Sequence, residues 1–175
     1  MARIIYKTGH EGQNKLECIE GIEIELLNGD KALVYPKYSE RVLLSRDKIS
    51  KWNAPEETEI DALKLKSAKL KTYSLVSINS PAAIWVDQFS SFKFDSQFSL
   101  PTLLAALEIQ RQKKNIDALA ETIEGADLLR DFTNYVWSCS RCDKYGGWVV
   151  NGNYGFAHGS SSYSSYLAVP TVLYR

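Results

Sequence analysis

The chain has 175 residues, of which 45% are hydrophobic and 24% are charged, so it can form one good core or two small ones. Basic and acidic residues balance at 21 each, and the formal net charge of +0 excludes a general electrostatic attraction to nucleic acid or to an anionic membrane. We expect no membrane insertion, because no run approaches the roughly 20 apolar residues of a spanning helix. The sequence shows no signal peptide, so we expect a cytoplasmic or virion-associated location unless a leader was removed.

Residues 16–50 have the pattern of β structure. Between residues 22 and 26 isoleucine and leucine alternate with glutamate, which is the period of a strand with one buried face. Asn28-Gly29 predicts a type I′ hairpin turn, because both central residues of that turn need positive φ. Residues 31–35 then return as the second strand, and Arg41 to Leu44 is a candidate third. We expect this small antiparallel unit to pack against the rest of the chain.

A charged segment at residues 53–71 favours a short amphipathic helix or a connector between two units. Its apolar residues are spaced for one side of a helix; they are Ile60, Leu63 and Leu70. We divide the chain after this segment into a β-rich unit of residues 1–71 and a second domain of residues 72–175.

The second domain opens with a predicted strand from Tyr73 to Ile78. Ser80-Pro81 follows, which is an N-cap with proline at the first helical position. Trp85 and Phe89 are four residues apart, so they share one face of the helix that this cap starts.

Two further helices and a run of strands are predicted downstream. Thr102 is a candidate cap for the second helix, and Asn115 caps a third that Gly125 ends. After Asp131 the pattern changes to strands and loops. A strand, two or three helices and then several strands predict an α+β fold, as opposed to alternating βα repeats.

Four short motifs of the second domain occur in an order that resembles a known family. They are Leu100-Pro101-Thr102, Tyr135-Val136-Trp137-Ser138-Cys139, Trp148 and Val169-Pro170-Thr171-Val172. In order and spacing they resemble the C-type-lectin-like domain of bacterial collagen-like adhesins and of the major paralogous domain proteins, over roughly residues 72–175. The resemblance implies a C-type-lectin-like fold with mixed strands and long loops, and a recognition or adhesion role in a bacterial or phage protein.

The chain departs from this family at three positions and from calcium-dependent lectins altogether. Cys139 stands where a second serine is usual, Ala168 replaces a closing arginine, and Thr171 separates the final proline from valine. The tripeptides of calcium-dependent sugar binding are absent, and Asp143 is the only acid between residues 136 and 175. Calcium takes about six to eight oxygen ligands, so we expect a calcium-independent protein without a cofactor.

An enzymatic alternative depends on the Cys139-Ser140-Arg141-Cys142 motif. A redox or metal-dependent enzyme similar to the formylglycine-generating oxidase would use such a pair on this general fold, although that enzyme spaces its cysteines differently. A structural zinc site needs four ligands, and a thioredoxin-like pair needs a helix N-terminus. His158 has no serine and aspartate partner motif for a catalytic triad. We therefore predict no catalytic residue and no metal site.

A segment of small polar residues and tyrosines, residues 151–166, has the composition of an antibody paratope. Tyrosine supplies rigid contact area, while serine, glycine and asparagine adapt their hydrogen bonds. The predicted ligand-binding residues are Trp137, Trp148, Asn153, Tyr154, Phe156, His158, Tyr163 and Tyr166. We predict a non-enzymatic module that binds a protein or glycan surface; a plain polar loop, or a homo-oligomer that buries the aromatic residues, remains open.

Overall fold

The structure, a computed structural model, describes residues 1–45, 52, 54–131, 135–144, 146–152 and 155–175. In these ranges the strands are β1 (Arg3–Tyr6), β2 (Ile19–Glu25), β3 (Lys31–Val34), β4 (Ser39–Leu43), β5 (Ser90–Ser91), β6 (Ser96–Gln97), β7 (Val136–Arg141), β8 (Gly146–Val150), β9 (Ala157–Ser161), β10 (Ser165–Ala168) and β11 (Thr171–Tyr174). The α-helices there are α1 (Glu59–Lys64), α2 (Lys69–Ser77), α3 (Pro81–Asp87), α4 (Leu103–Arg111) and α5 (Lys113–Ala120). This mixture confirms the α+β class.

A four-stranded antiparallel sheet, in the order β1-β2-β3-β11, contains the predicted N-terminal strands. Ile22 and Ile24 are fully buried beneath α4 and α5, as their alternation predicts. The opposite face is also covered, since Glu23 is 6% exposed, pairs with Arg3 at 2.8 Å and accepts a hydrogen bond from the Tyr174 hydroxyl. The prediction of a single buried face is therefore wrong, because β1 and the C-terminal strand β11 each supply a partner for the acid on the second face.

The connection from β2 to β3 is a hairpin, but its turn is not the predicted type I′. The Leu26 N–H donates to the Asp30 carbonyl at 2.8 Å, and the Gly29 N–H donates to the Leu26 carbonyl at 3.0 Å. Gly29 has a φ of 83°, whereas Asn28 does not have a positive φ. Residues 27–29 thus form a three-residue loop with glycine in the left-handed position, the arrangement of a type I turn followed by a bulge.

The predicted strand from Tyr73 to Ile78 is wrong, because α2 covers this segment up to Ser77. Leu75 is fully buried and Tyr73 is 70% exposed, so the helix turns its tyrosine to solvent. The hydroxyl of Thr72 accepts the Leu100 N–H at 3.1 Å. This tertiary contact helps to fix a helix in a segment whose aromatic and β-branched residues favour a strand.

The charged segment before α2 holds a helix, but not with the predicted buried side. The hydroxyl of Thr58 caps α1 by accepting the Asp61 N–H at 3.2 Å. Ile60 and Leu70 are both exposed, and Leu63 is partly buried. The helical conformation is interrupted between α1, which ends at Lys64, and α2, which begins at Lys69. Ile60 and Leu63 therefore lie on a different helix from Leu70, with which they were expected to share one face.

The two predicted caps at Ser80 and Thr102 are confirmed. Their hydroxyls accept the N–H groups of Ala83 at 3.2 Å and Ala105 at 3.3 Å, which satisfies donors that the first turn of each helix leaves open. The rings of Trp85 and Phe89 meet edge to face at 5.6 Å between centroids.

The start of the third predicted helix is wrong by three residues, because a cap at Asn115 places the first helical residue at 116. α5 begins at Lys113, and Asn115 lies inside it. Gln112 separates α4 from α5, and its side chain donates to the Glu25 carbonyl at 2.8 Å. A tertiary hydrogen bond, not an asparagine cap, thus marks the start of α5. The prediction that Gly125 ends the helix is also wrong, because α5 ends at Ala120.

A second, five-stranded sheet has the order β4-β10-β7-β8-β9. Its neighbours are antiparallel except for β10 and β7, which are parallel. The predicted boundary after residue 71 does not separate the sheets, because β11 completes the N-terminal sheet and β4 forms one edge of this one. The last strands of the chain therefore return to pair with the first, across the predicted division into residues 1–71 and 72–175.

Helices cover both faces of the second sheet. α4 contacts β7 and β8 on one face, while α2 and α3 contact β7, β10 and β4 on the other. None of the helices in the described ranges is long and apolar enough to span a bilayer. The face beneath α2 and α3 continues toward β8 and β9, and this continuation holds the candidate site.

Candidate functional site

Cross-strand register brings aromatic residues of three strands onto one face of the second sheet. Trp137 lies opposite Val149, and Val149 lies opposite His158. Side chains alternate along a strand, so Tyr135, two residues before Trp137, shares this face. Tyr166 reaches the same face from β10.

The rings form a continuous chain of contacts, which we name the aromatic row: Trp137, Tyr166, Tyr135, His158 and Phe156. Successive ring centroids lie 4.9, 4.8, 4.8 and 6.3 Å apart in this order. Tyr135 meets both Tyr166 and His158 edge to face. Such aromatic pairs contribute about 0.5–1.5 kcal/mol each beyond their buried area, so the row is a packed unit.

Burial falls along the row from one end to the other. Trp137 is fully buried and its indole N–H donates to the Val42 carbonyl at 2.8 Å. Tyr135, Tyr166 and His158 are half-buried, and Phe156 is 53% exposed. A buried tryptophan therefore fixes the inner end, and the outer end is open to a ligand.

Polar contacts orient Tyr166 and His158, the two residues on either side of Tyr135 in the row. The hydroxyls of Tyr166 and Ser160 are hydrogen-bonded at 2.8 Å. The Nδ1 atom of His158 lies 3.0 Å from the Gly159 carbonyl oxygen. Both rings are thus held before any ligand arrives, which lowers the entropy lost on binding.

A pair of glycines in β8 makes room for this packing. A Cβ atom on Gly147 would lie 2.7 Å from Leu44 Cδ2 and 3.5 Å from Trp137 Cζ3. A Cβ atom on Gly146 would lie 1.7 Å from the Ser160 carbonyl oxygen. The Gly146-Gly147 sequence is therefore a steric requirement of the site.

The structure separates the other predicted ligand-binding residues from the row. Trp148 points to the opposite face, and its indole N–H donates to the Glu57 carbonyl at 2.8 Å. Tyr163 lies in the turn between β9 and β10 and is 55% exposed. Asn153 and Tyr154 lie outside the described residues.

Two features of the site are not predicted from the sequence. Tyr135 belongs to the row, and its position two residues before Trp137 on a predicted strand was the available signal. The composition of segment 151–166 does not indicate where a strand lies within it, but the segment contains β9. Serine and glycine give β9 the composition of a turn, although it pairs with β8 over its whole length.

The cysteine pair is buried in ways that disfavour thiolate chemistry. Cys139 is fully buried, and burial raises its pKa to about 12. Cys142 is half-buried, and burial raises its pKa as well. Nucleophilic and metal-binding cysteines act as thiolates, which a raised pKa disfavours at neutral pH. The three cysteines are free thiols, and across the described ranges no three His, Cys, Asp or Glu side chains converge as metal ligands.

The one acid downstream of β7 has a structural role. The Asp143 carboxylate accepts the Gly146 N–H at 3.0 Å, and its backbone carbonyl accepts a hydrogen bond from Arg141 at 2.9 Å. Arg141 also donates to the carbonyls of Trp52 and Ala54. These bonds hold the turn between β7 and β8, on which the glycine pair depends.

Comparisons with known proteins leave the family of this chain open. A scan against protein-family models found no match, and searches of curated proteins and of solved structures found none either. The geometry of the aromatic row therefore carries the functional argument.

Proposed function

We propose that this protein is a non-enzymatic recognition module that binds a protein or glycan surface through the outer part of the aromatic row. The observation that carries the proposal is the gradient of burial along contacting rings, from Trp137 in the core to Phe156 in solvent. Binding surfaces commonly use rigid aromatic side chains, because they supply a large contact area at a low cost in conformational entropy.

The proposal includes a C-type-lectin-like fold, for which the placement of the four family-like motifs is the support. Leu100-Pro101-Thr102 leads into α4, with Thr102 as its cap. Trp137 and Trp148 lie on β7 and β8, and Val169-Pro170 leads into the closing strand β11. Each motif thus occupies the kind of element that the family pattern assigns to it.

The outer part of the row, from Tyr166 to Phe156, offers an aromatic surface that suits either kind of partner. Phe156, Tyr135 and Tyr166 can stack on a sugar ring or pack in a pocket of a protein. The hydroxyls of Tyr166 and Ser160 add polar groups at the same place. With Asp143 engaged in its turn, we propose binding that does not require calcium.

The experiment has two stages, a search for the partner and a test of the row. The intact chain is screened on a glycan array and by pull-down, and binding of each hit is then measured with and without a calcium chelator. Tyr135→Ala and Phe156→Ala should each weaken binding about five- to thirtyfold or more, since truncating an interface anchor costs about 1–2 kcal/mol or more.

Tyr73→Ala is the matched control, because Tyr73 is an exposed tyrosine on α2. It should leave binding unchanged. Equal binding by the row variants, the control and the unmodified chain, with all of them folded by circular dichroism, would contradict the proposed function.

A further inference from the structure

Strand β9 forms an unprotected edge of the five-stranded sheet. It is the last strand in the sheet order, and it pairs with β8 in unbroken register from Ala157 to Ser161. Proteins usually protect such edges with charged residues, proline or a bulge. The sequence Ala-His-Gly-Ser-Ser contains no proline, lysine, arginine or acid, and within the described residues no other strand pairs with it.

Alternation identifies the backbone groups of β9 that face away from the sheet. The Phe156 carbonyl accepts the Asn151 N–H at 3.0 Å, so residue 156 points its backbone toward β8. In an antiparallel ladder successive residues point alternately toward and away from the neighbouring strand. Ala157, Gly159 and Ser161 therefore direct their backbone N–H and carbonyl groups outward, with the Ser161 carbonyl also accepting the Ser164 N–H at 3.0 Å in the following turn. The contact between the Gly159 carbonyl oxygen and the side chain of His158 agrees with this assignment.

We propose that this edge pairs with β9 of a second copy of the chain, antiparallel, about a twofold axis at Gly159. This register gives the greatest overlap of the two strands. Gly159 then faces itself, and Ala157 faces Ser161 of the second copy, so the outward groups of both strands meet as hydrogen-bonded pairs. His158 lies opposite Ser160 of the second copy, and no like charges oppose each other.

Two exposed aromatic residues favour a second copy as the occupant of this edge. Phe156, at 53% exposure, directly precedes β9, and Tyr163, at 55%, follows it by two residues. In the proposed register Phe156 of one copy lies next to the turn that carries Tyr163 of the other, and the symmetry repeats this contact. Pairing the strand with itself thus covers part of Phe156 and Tyr163, and in the dimer a ligand contacts the row mainly through Tyr135 and Tyr166.

The formal net charge of +0 also removes long-range repulsion between copies. A twofold axis perpendicular to the sheet keeps the same face of both copies on one side. The dimer therefore has two aromatic rows side by side on a continuous sheet. This consequence does not depend on which ligand the row binds.

The first test measures the mass in solution by sedimentation equilibrium, from low micromolar to millimolar concentrations of the chain. We expect a concentration-dependent shift toward twice the monomer mass, since an interface of this size is small. Ser161→Pro removes one outward N–H group, which an edge strand tolerates, and should abolish the shift. Ser161→Ala keeps the N–H group and should retain it.

A second test reads the register directly and does not depend on the proline variant folding. In a Cys142→Ser background, His158→Cys and Ser160→Cys chains are purified separately and then mixed under mild oxidation. Directly opposite residues of a non-hydrogen-bonded pair have Cα atoms about 4.5 Å apart, which suits a disulfide. The mixture should cross-link strongly through the two introduced cysteines in non-reducing electrophoresis, whereas each variant alone should not.

Clear outcomes would overturn the proposal. If the chain stays monomeric at every concentration, β9 does not pair with a second copy and the proposal is wrong. A dimer that survives Ser161→Pro, and whose mixed cysteine variants do not cross-link, uses a different surface. Neither result decides whether the row binds a ligand. The glycan-array and pull-down measurements answer that question separately.

Discussion

Replacing Trp137 with phenylalanine tests whether the aromatic row is built on its buried end. The smaller ring removes the donor to the Val42 carbonyl, which lies 2.8 Å from the indole nitrogen. Val42 is half-buried, and its carbonyl, left without a donor beneath a fully buried ring, costs about 1–3 kcal/mol. The lost ring leaves a cavity, and at about 24 cal/mol per Å³ a space of about 40 Å³ adds roughly 1 kcal/mol. We therefore expect Trp137→Phe to lower the free energy of unfolding by about 2–4 kcal/mol.

Urea denaturation followed by far-ultraviolet circular dichroism measures this change without relying on tryptophan fluorescence. Trp148→Phe is the matched control, because it also removes one indole donor, to Glu57, from a partly buried ring on the opposite face. Solvent can replace that bond, so its loss should cost about 0.5–1.5 kcal/mol. If the two variants lose the same stability, Trp137 is not the foundation of the row.

Three further predictions concern stability. Gly146→Ala should lower the free energy of unfolding by more than about 3 kcal/mol, because its Cβ would lie 1.7 Å from the backbone oxygen of Ser160. Gly9→Ala, in open space at a φ of 83°, is the control and should cost about 1–2 kcal/mol. Equal losses of stability in urea denaturation would contradict the steric argument. The folded pKa of Cys139, about 12, lies above its ordinary value of 9.0, so the stability this thiol confers is complete below pH 9 and falls by about 1.4 kcal/mol per pH unit as the pH rises toward 12. Cys139→Ala should flatten that part of the stability profile relative to the unmodified chain, and unchanged slopes would count against it. Burial acts to raise the pKa of Glu23, but hydrogen bonds and ion pairing outweigh it and lower the pKa below 4.5. The stabilisation by this carboxylate is therefore present above pH 4.5 and is lost as the pH falls through the folded pKa. Glu23→Gln should reduce the acid dependence of unfolding and cost about 1.5–3 kcal/mol at neutral pH.

Local signals predict elements well where a short-range interaction decides the structure. The hydroxyls of Ser80 and Thr102 cap their helices from within the same turn, so the sequence contains the whole interaction. The β2–β3 hairpin is predictable for the same reason. Its turn type is not, because Asn28-Gly29 fits either a two-residue or a three-residue loop, and the register of the flanking strands selects between them.

Long-range pairing explains the errors in the fold. The sequence predicts a strand where α2 lies because Thr72, Tyr73 and Val76 favour extended structure, whereas the contact of Thr72 with Leu100 is 28 residues away along the chain. The pairing of β11 with β3 is not predicted either, because no local pattern indicates a strand that returns to the opposite end of the chain.

The candidate site is predictable in composition but not in geometry. Aromatic residues near the C-terminus indicate a binding surface, yet alternation decides which of them share a face. Trp137 and Trp148 are both predicted as ligand contacts, and the register of β7 and β8 sends them to opposite faces. Once the strand around Trp137 is placed, the same alternation assigns Tyr135 to the row, because it lies two residues earlier.

The gradient of burial along the row separates two kinds of effect that a binding assay alone would confuse. A change at Trp137 alters the free energy of unfolding and the position of every ring that rests on it, so it weakens binding indirectly. A change at Phe156 removes a solvent-exposed ring and its ring contact to His158, but leaves the core intact, so it should alter stability by about 1.5 kcal/mol or less. If Phe156→Ala instead destabilised the fold as much as Trp137→Phe, the row would be a single structural core, and its outer end would not be available as a recognition surface.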